Sequence, residues 1–116
     1  MTESIMLKKS KAFALRIVRL YKYLREHKES VIAKQILRSG TSIGANIAES
    51  RYAQSKSDFA SKLQIALKEA AETEYWLEFL RDAELVEPGP AFDSLCQDCT
   101  ELLRLLTASI KTAKAE

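Results

Sequence analysis

Cys96 and Cys99, spaced Cys-x-x-Cys, are where residue spacing first suggests chemistry in this 116-residue chain. The spacing fits a metal knuckle or a redox pair. A structural zinc site takes about four ligands, and the chain's one histidine, His27, lies far away in sequence. A thioredoxin-like pair needs a βαβ setting, and strand signals are almost absent here. Both cysteines fall on the apolar side of a helical pattern, so they are expected to be packed core thiols in a reducing compartment. Covalent catalysis needs a nucleophile activated by a base, a cation or a metal, and His27 sits in a charged loop. Glu69, Glu72 and Glu78 read as exposed helix charges. The "SGTSIG" segment has neither the lysine nor the preceding strand of a phosphate loop. These residues predict no enzyme activity, no metal and no cofactor.

The cations make a stronger pattern. Residues 1–40 hold ten Lys/Arg against three Asp/Glu, a net +7, and the remainder carries −5. Such asymmetry points to a polyanion partner or to electrostatic self-association. In the first helical segment, Lys8, Arg16, Arg19 and Lys22 lie opposite the apolar stripe, with Lys9 and Lys11 flanking. Lys8, Lys9, Arg16, Arg19 and Lys22 are therefore the candidate nucleic-acid-binding residues. No aromatic stacking platform or groove-reading motif accompanies them, so binding is expected to be sequence-independent.

Four helical segments must position these side chains. The first is expected over about Ser4–Glu26, with Phe13, Ile17, Leu20, Tyr21 and Leu24 on one face. The second covers about Val31–Ala53, with Ser30 as N-cap and Ile32, Ile36, Ile43 and Ile47 as its stripe. The third covers about Lys56–Leu85. Ser55 caps it, Asp58 suits its first turn, and Phe59, Leu63, Ala66, Ala70, Thr73, Leu77 and Leu80 form a heptad seam. "EPGP" at 87–90 forces a turn. The fourth covers about Ala91–Ala113, with Phe92, Leu95, Cys99, Leu102 and Leu106 on one face and a fraying tail beyond. The predicted fold is a single all-α domain over 1–116, an antiparallel up-down-up-down four-helix bundle. The polar N-terminus and the lack of a long apolar run predict a cytoplasmic protein without membrane contact.

The second segment holds an oddity, "QILRSGTSIGANIAES" at 35–50, where two glycines occur in a helical pattern. Glycine costs about 1 kcal/mol against alanine inside a helix. Gly40 occupies the missing place in the isoleucine stripe, and Gly44 and Ala48 follow at steps of four. A ridge of small residues lets a neighbouring helix approach closely. Gln35, Ser39, Ser42, Asn46 and Ser50 project within about 80° of one another, with Arg38 and Glu49 beside them. The expectation is a polar network that fixes the register of that approach against a partner helix or subunit.

The third segment carries an additional apolar strip. Ile65, Trp76, Phe79 and Ala83 lie within about 60° of one another, away from the heptad seam. A monomeric bundle needs one buried stripe per helix, so Ile65, Trp76 and Phe79 are expected to form an oligomer interface. Leu103 and Ile110 lie outside the main face of the fourth segment in the same way.

"KAFALRIVRLYKYL", "KQILRSGTSIGANIAES" and "SKSDFASKLQIALKEAAETEYWL" together resemble the bacterial family of 23S rRNA intervening-sequence proteins, over about residues 8–86. The central pattern is R-S-x-x-S-I-x-x-N-I-x-E, here Arg38, Ser39, Ser42, Ile43, Asn46, Ile47 and Glu49. The resemblance implies a four-helix bundle assembled into a cyclic homo-oligomer, a pentamer. It also implies a link to accessory proteins of diversity-generating retroelements, which bind nucleic acid and a reverse transcriptase. The family pattern often reads Glu-Gly after Asn-Ile, where this chain has Glu49-Ser50, which bears on where the second helix ends. The expected function is a non-enzymatic ring offering a basic surface to RNA or DNA. The other class is a protein-binding adaptor, with the charges serving subunit contacts.

Overall fold

The computed structural model describes residues 2–115, with side chains described from residue 5. Four helices follow in order: α1 (Thr2–Glu26), α2 (Ser30–Ser50), α3 (Lys56–Asp82) and α4 (Pro90–Ala115). Their ends follow from local chemistry. Lys28 takes a left-handed conformation (φ 65°), and the next N–H, of Glu29, reaches back to the Leu24 carbonyl at 2.8 Å. With Lys28 N–H on the Arg25 carbonyl at 3.0 Å, this is a Schellman cap. α2 begins at once, so Glu29 is its N-cap, and Ser30 is helical rather than capping as its side-chain type suggested. α3 ends the same way: Glu84 is left-handed (φ 59°) and Leu85 N–H bonds the Leu80 carbonyl at 2.9 Å. The helix therefore stops at Asp82, short of the expected Leu85.

Between α2 and α3 the expected cap forms. Ser55 Oγ accepts from Asp58 N–H at 3.0 Å, and the Asp58 carboxylate accepts from Gln54 N–H at 3.1 Å. Pro90 opens α4 after Gly89 (φ 148°), a position where proline loses no helical hydrogen bond. α4 stays helical through Ala115, past the expected fraying. α2 runs unbroken through Gly40 and Gly44 to Ser50, whose buried hydroxyl bonds the Ile47 carbonyl at 2.6 Å.

α1 packs on α2 and α4, and α3 packs on the same two helices. The diagonal pairs have no close backbone approach among the described residues, so α1 and α3 turn their outer faces to opposite sides of the bundle. The fold is the antiparallel four-helix bundle that the stripes predict. The α3 seam from Leu63 to Leu80 is buried, as are Phe13, Ile17 and Leu24 from α1, Ile36, Ile43 and Ile47 from α2, and Leu95, Cys99, Leu102 and Leu106 from α4. Met6 and Ser10 extend the α1 stripe towards the N-terminus and are also fully buried.

The glycine ridge faces α1. A Cβ on Gly40 would lie 2.9 Å from both Cγ atoms of Ile17, and one on Gly44 would lie 3.1 Å from Ser10 Oγ. The small residues therefore set the α1–α2 distance, and the helix-propensity loss is offset by close packing.

Candidate functional site

The expected basic strip on α1 divides in two. Lys8, Arg19 and Lys22 are exposed, and none forms an ion pair among the described residues. Arg16 is different. Its guanidinium donates to Asp98 at 2.7 Å, to Ser94 Oγ at 3.2 Å and to the Ala91 carbonyl at 3.0 Å. It clamps α1 to the first turns of α4 and is not free for phosphate. Lys9 likewise pairs with Glu101 on α4, at 3.2 Å. Both lie on the flank of the exposed arc that borders α4, which a helical wheel of α1 alone cannot reveal. The exposed face also carries apolar side chains: Ile5 is 51% and Leu15 54% exposed.

The expected interface residues on α3 lie together. Phe79 is 39% and Ile65 40% exposed, while Trp76 is half-buried against the core. Tyr75, which the 60° arc left out, is 57% exposed. It meets Trp76 edge-on with ring centroids 5.2 Å apart, and Trp76 meets Phe79 edge-on at 5.9 Å. Its signal in the sequence was adjacency to Trp76 within a Tyr-Trp-x-x-Phe run. Tyr75, Glu78, Phe79, Asp82 and Ala83 neighbour one another along the outer face of α3 and its C-cap.

Trp76 is held in place by α2. Its indole N–H donates to Glu72 Oε2 at 3.0 Å, and that carboxylate also accepts from Arg38. Arg38 donates as well to both oxygens of Glu69, each at 3.2 Å. The Arg38 guanidinium, followed by the Trp76 N–H, holds the Glu72 carboxyl below the usual carboxylate range. The family pattern's arginine thus anchors two α3 carboxylates and, through one of them, orients the aromatic strip.

The rest of the polar strip is mostly local. Ser39 shares a buried hydrogen bond of 2.9 Å with Thr73 of α3, and Glu49 meets Lys62 at 3.6 Å. Ser42 Oγ donates to the Ser39 carbonyl at 3.0 Å, and Asn46 Nδ2 to the Ser42 carbonyl at 2.9 Å. Gln35 is exposed. So Arg38, Ser39 and Glu49 reach α3, whereas Ser42 and Asn46 satisfy themselves within α2, as short polar side chains in helices commonly do.

The residues with catalytic potential stay apart. Cys99 is buried and its thiol lies 3.5 Å from the Ala70 carbonyl; burial pushes its pKa up to about 12. Burial also raises Cys96, opposed by the nearby Arg81. His27 Nδ1 sits 2.8 Å from the Tyr23 carbonyl, and its ring stacks on Tyr23. No cluster of three or more His, Cys, Asp or Glu that could hold a metal forms among the described residues. No described helix is long and apolar enough to cross a membrane.

The fold is an all-α four-helix bundle with an exposed basic face on α1 and exposed aromatic side chains on α3. The chain belongs to the 23S rRNA-intervening sequence protein family, which it matches over residues 2–108. Its structure is similar to that of a protein of unknown function from the S23 ribosomal protein family of Bacteroides thetaiotaomicron. The two share 54% identity with a TM-score of 0.90, over 96% of this chain and 99% of the other. No curated protein matches the chain.

Proposed function

We propose that the chain is a non-enzymatic, self-associating bundle whose subunits contact one another through the outer face of α3. The observation that carries this reading is the aromatic run of α3: Tyr75 and Phe79 are exposed beside Ile65, with Trp76, half-buried against the core, between them. Aromatic residues are enriched in the buried centres of interfaces, and a contiguous apolar patch on a soluble protein marks a contact site. The family's ring architecture, a pentamer, is consistent with this surface. The non-enzymatic part is supported by the burial of Cys99, which raises its pKa and disfavours the nucleophilic thiolate. Phe79→Glu places a charge in the centre of the patch at an exposed position. It should lower the molar mass in light scattering while circular dichroism stays helical. An unchanged oligomer would remove α3 from the interface.

A second reading is favoured by one observation. Lys8, Arg19 and Lys22 lie along one exposed face of α1 and hold no ion pair among the described residues. In this reading the face binds RNA or DNA by phosphate contact, and an oligomer repeats it and multiplies the avidity. Affinity should then fall with salt, with a log–log slope of about −0.7 per phosphate contact on a single strand and about −0.9 on duplex DNA. Lys8→Glu with Arg19→Glu and Lys22→Glu should abolish a gel shift. Arg16 is unsuitable for this test, because its loss also unclamps α4. No shift with the wild-type chain at low salt, on single or duplex ligands, would leave the protein-binding scaffold alone.

A further inference from the structure

The two outer faces carry opposite unmatched charges. On α3, Glu78 and Asp82 are exposed beside Tyr75 and Phe79, and form no ion pair among the described residues. On α1, Arg19 and Lys22 are exposed and equally unmatched, one turn beyond the exposed Leu15. An exposed helix face with two aromatic rings and two carboxylates suits a guanidinium or ammonium group, which gains from the rings and from charged hydrogen bonds together.

The two faces cannot meet within one molecule, because α1 and α3 are diagonal in the bundle. They do lie near the same end. Tyr23, one residue past Lys22, shares a cleft with Arg81, one residue before Asp82. A second copy rotated about an axis roughly along the bundle would therefore bring its Arg19–Lys22 segment to the height of Tyr75–Asp82.

We infer that the outer face of α3 carrying Tyr75, Glu78, Phe79 and Asp82 receives Arg19 and Lys22 from α1 of a second copy, in a head-to-tail contact. This rests on the self-association proposed above and specifies which surfaces mate. Unlike surfaces mate in it, so the contact is heterologous and closes a ring when its rotation permits. Leu15 then covers the aromatic strip from the α1 side. The basic face of α1 becomes a subunit contact.

The test uses charge reversal at these exposed positions, read by light scattering against concentration, with circular dichroism reporting the fold. Arg19→Glu with Lys22→Glu should raise the concentration needed for assembly by about tenfold or more, because like charges then face each other across the contact. Glu78→Lys with Asp82→Lys should do the same. The chain carrying all four changes should assemble again like the wild type, because the pairing is restored with inverted sign. Loss of assembly by general damage would not be reversed in that chain. Wild-type mass in both pairs, or a quadruple variant that stays monomeric, would overturn the head-to-tail contact while self-association stands. A monomeric wild type would overturn both. An Arg19→Glu, Lys22→Glu chain of unchanged mass that no longer shifts a labelled single strand would assign the face to nucleic acid and overturn the contact.

Discussion

Gly40 shows how one absent side chain positions two helices. Gly40→Ala gains about 1 kcal/mol of helix propensity, but its Cβ would stand 2.9 Å from the Cγ atoms of Ile17. Ile17 is β-branched and fully buried, so it has nowhere to rotate. Overpacking of this kind costs about 1–3 kcal/mol, so net destabilisation is expected in chemical denaturation. The cost should shrink in an Ile17→Ala background, where the opposing atoms are gone; additivity there would place the strain elsewhere. At Cys99 the folded thiol pKa is raised from 9.0 to about 12, mainly by burial. A raised pKa means that the folded state holds the proton more tightly. The associated stability is fully present below the ordinary thiol value and is lost as pH climbs from there towards 12. The stability advantage of the wild type over Cys99→Ala should therefore shrink in alkaline buffer; a pH-independent difference would contradict the assignment. Gly40 and the core thiol of Cys99 were legible in the sequence, because each is a gap or member in a single helix's stripe, whereas Cys96, expected in the core as well, is half-buried beside Arg81. Arg16 and Lys9 were not, since their carboxylates lie on another helix about 80–90 residues away.

Helix stripes were also legible at the scale of whole elements, and helix ends less so. Most of the expected stripe of each helix is buried, but Leu20, Tyr21, Ile32 and Phe59 are only half-buried, and Ile110, expected outside the main face of α4, is buried in the core. α1 ends at Glu26 as expected, whereas α2 stops at Ser50, short of Ala53, and α3 at Asp82, short of Leu85; α1 and α3 close with left-handed residues that are not glycine, Lys28 and Glu84. A Schellman cap is normally read from a glycine, and the chain's three glycines lie elsewhere. A side chain in that conformation costs about 1–2 kcal/mol, which glycine avoids. Lys28→Gly and Glu84→Gly should each raise the denaturation midpoint, by an amount corresponding to about 0.5–1 kcal/mol, since glycine also loses more entropy on folding. A lowered midpoint in either would show that the side chain itself contributes at the cap. The α2–α3 link through Arg38, Glu69 and Glu72 is half-exposed and is worth about 1 kcal/mol at most. Its larger consequence is geometric, because Glu72 also holds the Trp76 indole.

For the whole molecule, sequence periodicity identified the surplus apolar strip on α3 but not its most exposed ring, Tyr75, which lies at the edge of that arc. Nor could it show that α1 and α3 face opposite ways, since that depends on which helices are neighbours. Two opposed faces with unlike charge, one of them aromatic, are the features on which the proposed self-association rests. The most direct measurement is the molar mass of the unmodified chain by light scattering over a range of concentrations. A mass that is a multiple of 13.1 kDa, lowered by Phe79→Glu without loss of helicity, is the predicted result. A single species of 13.1 kDa at every concentration would contradict it.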